Sequence, residues 1–458
     1  MNIFFIGIGG VSMSGLAQIA LANGNKVYGS DLQESDVTRK LIENGAVIYN
    51  NHDKNNITDD IDLVVYTSAI KEDNVEYTEA LSKNIKIQNR AVFLGELMKN
   101  YKNSISVSGT HGKTTTTSML STIFKYGEYD PTILVGGNLN IINGNVNIGK
   151  SDYFITEACE YTNSFLNFNS KVAIVLNVEE DHLDYFSGLN EIKDSFNKFG
   201  KLLPRDGFFI INGDNENTDT IDKDVIATTI RFGQDIKNDA VFKILGYDTK
   251  GCATFEIKYN QISLGNFKIS VPGEHNVYNA VGAILASYVS NVNIEDIRKN
   301  IELYTGVGRR FEYKGLTKNG AIVIDDYAHH PTEIKATLNS VQNIAKSKIW
   351  VVFQPHTYSR TLTLLEEFGE SFYDADNVII PDIYASREKF TNKISSIDLC
   401  DKIRYNFEHS ILCSEKTVTY IPTLNQISEY LNKYAQKDDI ILTIGAGDVY
   451  KVADDLVK

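Results

Sequence analysis

Short apolar runs separated by amphipathic stretches recur along most of this 458-residue chain. In the first hundred residues the runs predict strands at 2–6, 26–29 and 63–66, with helical patterns at 14–22 and 37–44 between them. Buried strands alternating with helices predict a parallel sheet with crossover helices. A second module starts near Asn100, with strands expected at 105–107, 153–156, 172–177 and 208–211. Residues 229–268 change character: positions alternate and the turns are hairpin-like, so β-structure without intervening helices is expected there. A helix should follow over 277–290. From Gly308 the α/β alternation restarts, with strands expected at 321–324, 349–353, 377–380 and 440–444. The chain shows no internal repeat and no low-complexity segment.

Length agrees with that count, since a chain this long exceeds one ordinary core and suggests three domains at roughly 150 residues each. A hydrophobic fraction of 42% with 10% aromatics is that of a soluble globular protein. Lys and Arg number 45 against 59 Asp and Glu, so the net charge of −14 works against nonspecific nucleic-acid binding. No apolar run approaches the ~18 residues of a membrane span. The opening MNIFFIGIGG has no basic leader, so a secretory signal is not expected and a cytoplasmic location is. Cys159, Cys252, Cys400 and Cys413 form no C-x-x-C pair and read as thiols in a reducing compartment.

Candidate chemistry concentrates in residues 104–117, SISVSGTHGKTTTT. A β-branched strand, a glycine turn, a lysine and a threonine-rich helix start form a cradle for a nucleotide phosphate chain. Small residues let backbone N–H groups approach the oxygens, the helix N-terminus favours negative charge, and Lys113 adds a cation. The common spacing G-x-x-x-x-G-K-[ST] fails because Val107 occupies its first glycine position, leaving the shorter form Gly109-Thr110-His111-Gly112-Lys113-Thr114. An earlier turn, GIGGVSMSG over 7–15 with Asp31 after the second strand, partly matches a dinucleotide fingerprint, but Ser12 stands at its third glycine position. That turn fits diphosphate binding better than hydride transfer.

Glu157 and His182 lie at or just beyond strand ends after the phosphate loop, where ligands of open parallel sheets bind. With Thr114 they offer three contacts to a magnesium ion. His275 and Asn276 precede the 277–290 helix with Asn279 one turn on; helix capping and adenine recognition both fit such amides, and spacing favours capping. Arg309 and Arg310 sit at the junction of the second and third modules, where one could meet a phosphate. The polar clusters 325–331 and 354–361 each follow an apolar strand and suggest active-site loops. No G-x-S-x-G elbow and no H-E-x-x-H are present, which removes serine hydrolase and zincin readings.

Eight segments in order, GIGGVSMSG, GTHGKTTTT, EACEYTNSFL, NVEEDHLDYF, GEHNVYNAVGA, GVGRRFEYKG, DDYAHHPTEI and FQPHTYSRT, resemble the Mur ligase family of ATP-dependent amide-forming enzymes along the whole chain. The resemblance implies a Rossmann-like UDP-sugar domain at 1–98, a central P-loop-type ATPase domain at 99–307 and a Rossmann-like amino-acid domain at 308–458. It implies ATP and Mg2+, and joining of L-alanine to the carboxylate of UDP-N-acetylmuramate through an acyl phosphate. It also implies catalytic roles for Lys113, His182 and Arg310. Gly109, Thr110, His111, Gly112, Lys113, Thr114, Thr115, Asn276, Asn279 and Arg310 would face ATP, which overrules capping for Asn276. Thr114, Glu157 and His182 would hold the metal. Gly9, Gly10, Ser12, Asp31 and Ser68 would face the UDP-sugar, and Tyr327, His329 and Arg360 the alanine. Thr357 replaces an arginine found in some relatives, and Cys159 an acidic residue found in many. A monomer or homodimer is expected. The nearest alternative is a ligase that attaches a tripeptide to UDP-N-acetylmuramate. Folylpolyglutamate synthetase would leave the first module unexplained, a nicotinamide dehydrogenase would leave GTHGKTTTT idle, and a non-catalytic nucleotide-binding regulator would leave Lys113, Glu157 and His182 without a task.

Overall fold

The apolar run Asn2–Ile6 (β1) lies at the centre of the first sheet, and its alternate residues serve two cores. Ile3 and Phe5 enter one hydrophobic cluster while Phe4 and Ile6 enter another, as expected of a parallel strand covered on both faces. Lys26–Ser30 (β2), Val47–Tyr49 (β3), Leu63–Tyr66 (β4) and Lys86–Asn89 (β5) complete a parallel sheet in the order β3-β2-β1-β4-β5. The computed structural model describes every residue except 68, 69, 184, 343, 387, 411, 412 and 414.

The second sheet is built on Asn103–Ser108 (β6), Thr132–Leu139 (β7), Gly144–Asn147 (β8), Tyr153–Glu157 (β9), Val172–Val175 (β10), Phe208–Asn212 (β11), Thr228–Gly233 (β12), Ala240–Tyr247 (β13), Cys252–Tyr259 (β14) and Ile262–Pro272 (β15). Its order is β15-β14-β13-β12-β11-β10-β6-β9-β7-β8. The change of character at 229–268 corresponds to β12–β15, where no helix intervenes. The third sheet joins Glu312–Leu316 (β16), Ile322–Asp326 (β17), Ile349–Phe353 (β18), Asn377–Ile380 (β19), Thr417–Tyr420 (β20) and Ile440–Ile444 (β21) in the order β16-β17-β21-β18-β19-β20. Only β16 runs against its neighbour there.

The chain divides into two compact units, one of residues 1–244, 255–268 and 278–304, the other of 245–254, 269–277 and 305–458. In the first unit the first two sheets are joined through helices that carry glycine at the contact. A Cβ on Gly15 of helix Val11–Ala22 would strike Leu134 of β7, and one on Gly95 of helix Arg90–Met98 would strike the Asn167 carbonyl. Asn145 Nδ2 donates to Val11 O at 2.7 Å, and Asn169 Nδ2 to Gly95 O at 2.9 Å. In the second unit β18 and β21 again divide their side chains: Ile349, Val351 and Phe353 face one core, Trp350 and Val352 the other. Among the described residues no helix is long and apolar enough to cross a membrane.

Candidate active site

The phosphate loop issues from β6, whose residues Ser104–Ser108 are all buried. Gly109 and Gly112 take φ of +135° and +84°, a region that L side chains rarely adopt. Gly112 also lies against Asn279, whose Oδ1 a Cβ would strike. The helix Lys113–Tyr126 then begins with no side-chain cap, so its first-turn N–H groups are left for a ligand. Asn177, just beyond β10, fixes the loop from below: its O accepts from Thr110 N at 3.1 Å, its Oδ1 from His111 N at 2.7 Å, and its Nδ2 donates to His111 O at 3.2 Å.

Lys113 folds back over this loop. Its Nζ donates to Gly109 O and Thr110 O and pairs with Glu160 Oε2 at 3.3 Å. Glu160 is 2% exposed. Burial is the largest influence on the Lys113 ammonium and works to lower its pKa; the charges of Glu160, Cys159 and Glu157 outweigh it, and the net direction is upward. Glu160 also approaches His182 Nε2 at 3.9 Å, so one buried carboxylate lies beside both side chains. His182 takes a positive φ of 54° and lies against Tyr161 with ring centroids 4.5 Å apart. Glu157 ends β9, opposite Val107 in the register, and its Oε1 accepts from Gly136 N at 2.6 Å. The strand-end placement expected for Glu157 and His182 thus gathers both around Lys113, and Asn279 joins them at the loop.

At the first glycine turn Asp31 accepts from Gly9 N at 2.9 Å and from Gln33 N at 3.2 Å. Its carboxylate organises the turn. Gly10 precedes helix Val11–Ala22, which has no side-chain cap and no acidic residue in its first turn. Ser12 Oγ accepts from Arg90 Nη1 at 2.8 Å. Ser68 lies outside the described residues.

The remaining candidates belong to the second unit. Both His275 and Asn276 lie inside helix Glu274–Val289 and not in a turn ahead of it, so the capping geometry is absent; Asn276 Nδ2 donates to Pro272 O at 2.7 Å. Asp325 and Asp326, expected in a loop, close β17. Arg309 and Arg310 both lie over the Tyr327 ring, at 5.0 and 5.1 Å from its centroid. Arg309 is tied down by Asp325 at 3.1 Å and by the carbonyls of Gly445 and Gly447, leaving Arg310 with a longer 3.8 Å approach to Glu333. Glu333 also accepts from His329 N at 2.9 Å, and the His329 ring sits 6.3 Å from that of His356. Burial and then the Arg360 charge hold the His356 imidazole down to about 4. His329 thus lies beside both Tyr327, at 5.5 Å between ring centroids, and His356, whose imidazole feels the Arg360 charge. Thr357 takes φ of +68° and caps the short helix Tyr358–Thr363, where Glu388 accepts from Tyr358 N at 2.6 Å. Burial raises Asp326 to about 6 against the opposing pull of Arg310.

Glu160, Asn177, Arg90 and Glu333 were not singled out from sequence, although Glu160, Asn177 and Glu333 stand inside the quoted segments, and His356 was marked only as part of the polar cluster 354–361. Their signal is spatial: each partners a residue that the motifs did mark.

A phosphate loop with a buried lysine–carboxylate pair, in a chain that also carries two further α/β sheets, defines a nucleotide-dependent enzyme of multidomain α/β type. Sequence profiles place it: that of the Mur ligase catalytic domain matches residues 2–102, that of the Mur ligase middle domain 107–287, and that of the Mur ligase glutamate ligase domain 309–447. The chain belongs to the Mur ligase family. It is 50% identical over 457 residues to the UDP-N-acetylmuramate–L-alanine ligase of Clostridium tetani, covering 100% of this chain and 98% of that one. The corresponding ligase of Caldanaerobacter subterraneus is 47% identical over 457 residues, 100% of this chain and 97% of the relative. Among solved structures, the UDP-N-acetylmuramate–alanine ligase of Thermotoga maritima superposes with a TM-score of 0.81 at 26% identity, covering 100% of this chain and 98% of that one.

Proposed function

We infer that this chain joins L-alanine to the muramate carboxylate of UDP-N-acetylmuramate, with cleavage of ATP to ADP and phosphate, in the synthesis of peptidoglycan precursors. The observation that carries this is the full-length 50% identity to an L-alanine ligase, combined with an intact phosphate loop and Lys113. A carboxylate is a poor electrophile. Attack of its oxygen on the ATP γ-phosphorus, with ADP leaving, gives an acyl phosphate, and the alanine amine then displaces inorganic phosphate.

The residues available for this chemistry suggest their division of labour. Gly109–Thr115 and Asn279 would form the phosphate cradle, and Asn276 and Arg310 are further proposed ATP contacts. Lys113 would stabilise charge on the transferring phosphoryl group, an electrostatic and positioning task. It must leave Gly109 O and Thr110 O to do so, and Glu160 keeps it protonated meanwhile. The donor set fits magnesium through oxygen: the Thr114 hydroxyl and the Glu157 carboxylate are hard ligands, and His182 completes the proposed set. Bound there, the ion would offset phosphate charge. Gly9, Gly10, Ser12 and Asp31 would receive the UDP-sugar, with Ser68 at the neighbouring strand end, and Tyr327, His329 and Arg360 the alanine. We assign UDP-sugar, ATP and amino-acid binding to 1–98, 99–307 and 308–458. A monomer or homodimer working in the cytoplasm, where nucleotide sugars and ATP are pooled, completes the reading.

Purified protein with ATP, magnesium and UDP-N-acetylmuramate is expected to release phosphate on addition of L-alanine, and Lys113→Ala to abolish that release. Release with L-alanyl-tripeptide but not with L-alanine would instead assign the chain to tripeptide attachment.

A further inference from the structure

Thr357 takes φ +68° and ψ +146°, a backbone region close to glycine-only and an outlier for a β-branched residue. Such a conformation persists only where its surroundings over-determine it. Here a later stretch of the chain does so. Beyond β19 the backbone returns beside His356 as an isolated parallel bridge at Tyr384. Tyr384 N donates to Pro355 O at 2.9 Å, and Thr357 N to Tyr384 O at 2.9 Å. The Tyr384 ring stacks on that of His356 with centroids 5.7 Å apart.

Glu388 completes this clamp. Its own N–H donates to Ala385 O at 2.9 Å. Its Oε2 accepts from Tyr358 N at 2.6 Å and from Ser359 N at 3.1 Å, and its Oε1 from Ser359 Oγ. Both carboxylate oxygens are therefore committed to the turn that begins helix Tyr358–Thr363. From the other side, Thr357 Oγ1 accepts from Arg360 N at 3.4 Å and Thr357 O from Thr361 Oγ1 at 2.7 Å. Arg360 is the residue directly after the amides that Glu388 holds. The His356 imidazole feels both side chains, lowered by burial and then by Arg360, and raised by Glu388. Rotation of Thr357 out of the left-handed region would redirect the chain that follows, and Arg360 with it.

We propose that Glu388 is a positioning residue for the amino-acid substrate, holding the strained turn at Thr357 so that Arg360 is set to receive the amino acid's carboxylate. This rests on the reading above that Arg360 meets the alanine. Glu388 acts through Arg360 and does not itself hold the substrate's ammonium, because its oxygens already serve the turn.

Michaelis constants for L-alanine, ATP and UDP-N-acetylmuramate on wild type, Glu388→Ala, Glu388→Gln and Ser359→Ala test this, together with hydrogen exchange at residues 358–360. Glu388→Ala should raise the KM for L-alanine at least about tenfold, the loss of charge-assisted hydrogen bonds, and quicken exchange of those amides. Its kcat at saturating alanine should stay within about threefold, and the other two KM values should be unchanged. Glu388→Gln should recover most of the loss, since its carbonyl accepts from the amides and its NH2 donates to Ser359 Oγ. An unchanged KM for L-alanine or unchanged exchange in Glu388→Ala overturns the proposal, as does an equal rise in all three KM values. A Glu388→Gln variant as impaired as Glu388→Ala also overturns it, because the charge would then be holding the ammonium directly. Should Glu388→Ala not fold, Ser359→Ala decides: a smaller rise in the KM for L-alanine alone supports the proposal, and no rise overturns it. Wild-type turnover with L-alanine is scored separately. Its absence strikes the functional reading and this inference with it, whereas its presence beside an unchanged Glu388→Ala strikes this inference alone.

Discussion

Glu160→Gln is the most searching perturbation of this site, because it removes a charge and keeps the shape. The carboxylate stands 3.3 Å from the Lys113 ammonium with side chains 3% and 16% exposed. At an effective dielectric of 20 that separation corresponds to about 5 kcal/mol of attraction, from which the cost of burying both charges must be taken. Glutamine retains an acceptor, so the expected net loss of stability is about 1.5–3 kcal/mol, the range for hydrogen bonds to charged groups. Alanine, which leaves the ammonium buried and unpaired, should cost about 3–5 kcal/mol. The sign of the pH effect follows from Lys113. Its folded pKa lies above the ordinary 10.5, so the pair's stabilisation is complete below pH 10.5 and is lost as pH rises through the folded value. With Glu160 neutral, burial prevails and the ammonium loses its proton at lower pH. The alkaline limb of kcat/KM for ATP, which reports the free enzyme, should therefore move toward neutrality in Glu160→Gln. The limb of kcat should move less, since bound phosphates take over as counter-charge. Thermal melting and pH–rate profiles between about pH 6 and 10 measure both. A variant with unchanged melting and an unchanged alkaline limb would refute the pairing argument.

Gly112→Ala should lower kcat/KM for ATP at least about tenfold and leave UDP binding intact, because a Cβ at φ +84° meets Asn279 Oδ1. His356, held down to about 4 against an ordinary 6.5, contributes stability that is present above pH 6.5 and lost as pH falls through about 4. Its full span is about 3 kcal/mol, and melting of His356→Gln should lack that part of the acid slope. The thiols should resist alkylation in the folded protein at pH 8 and react after denaturation. Burial raises Cys159 to about 11 and Cys400 to about 12, and Cys252 and Cys413 are buried; rapid labelling of any one by mass spectrometry would contradict this.

The parts of the fold legible in the sequence are the strands with neighbours on both sides. β1, β18, β19 and β21 are dominated by apolar residues because both faces are covered, and their expected limits coincide with those observed. The strands that escaped are mostly edges: β3, β5, β8, β16 and β20 each have a single neighbour in their sheets. Their sequences, such as KIQN in β5 and GNVN in β8, are polar, as suits an edge that must not recruit another chain. β7 is the exception. It is an inner strand, but its second half is TILVGGNL's glycine pair and asparagine, where exposure replaces the core and Gly136 is kept small beside Glu157.

The site divides along the same physical line. Residues on the phosphate loop announce themselves because backbone geometry demands glycine and a helix start demands small polar residues, so GTHGKT can be read without knowing its surroundings. Glu160 cannot be read that way. Isolated in EACEY it is one acidic residue among several, and its meaning comes from being buried within reach of both Lys113 and His182. Its neighbour Cys159 is a thiol that burial pushes up to about 11, so near pH 7 it is neutral and the Glu160 carboxylate is the charge paired with Lys113, the role that Glu160→Gln tests.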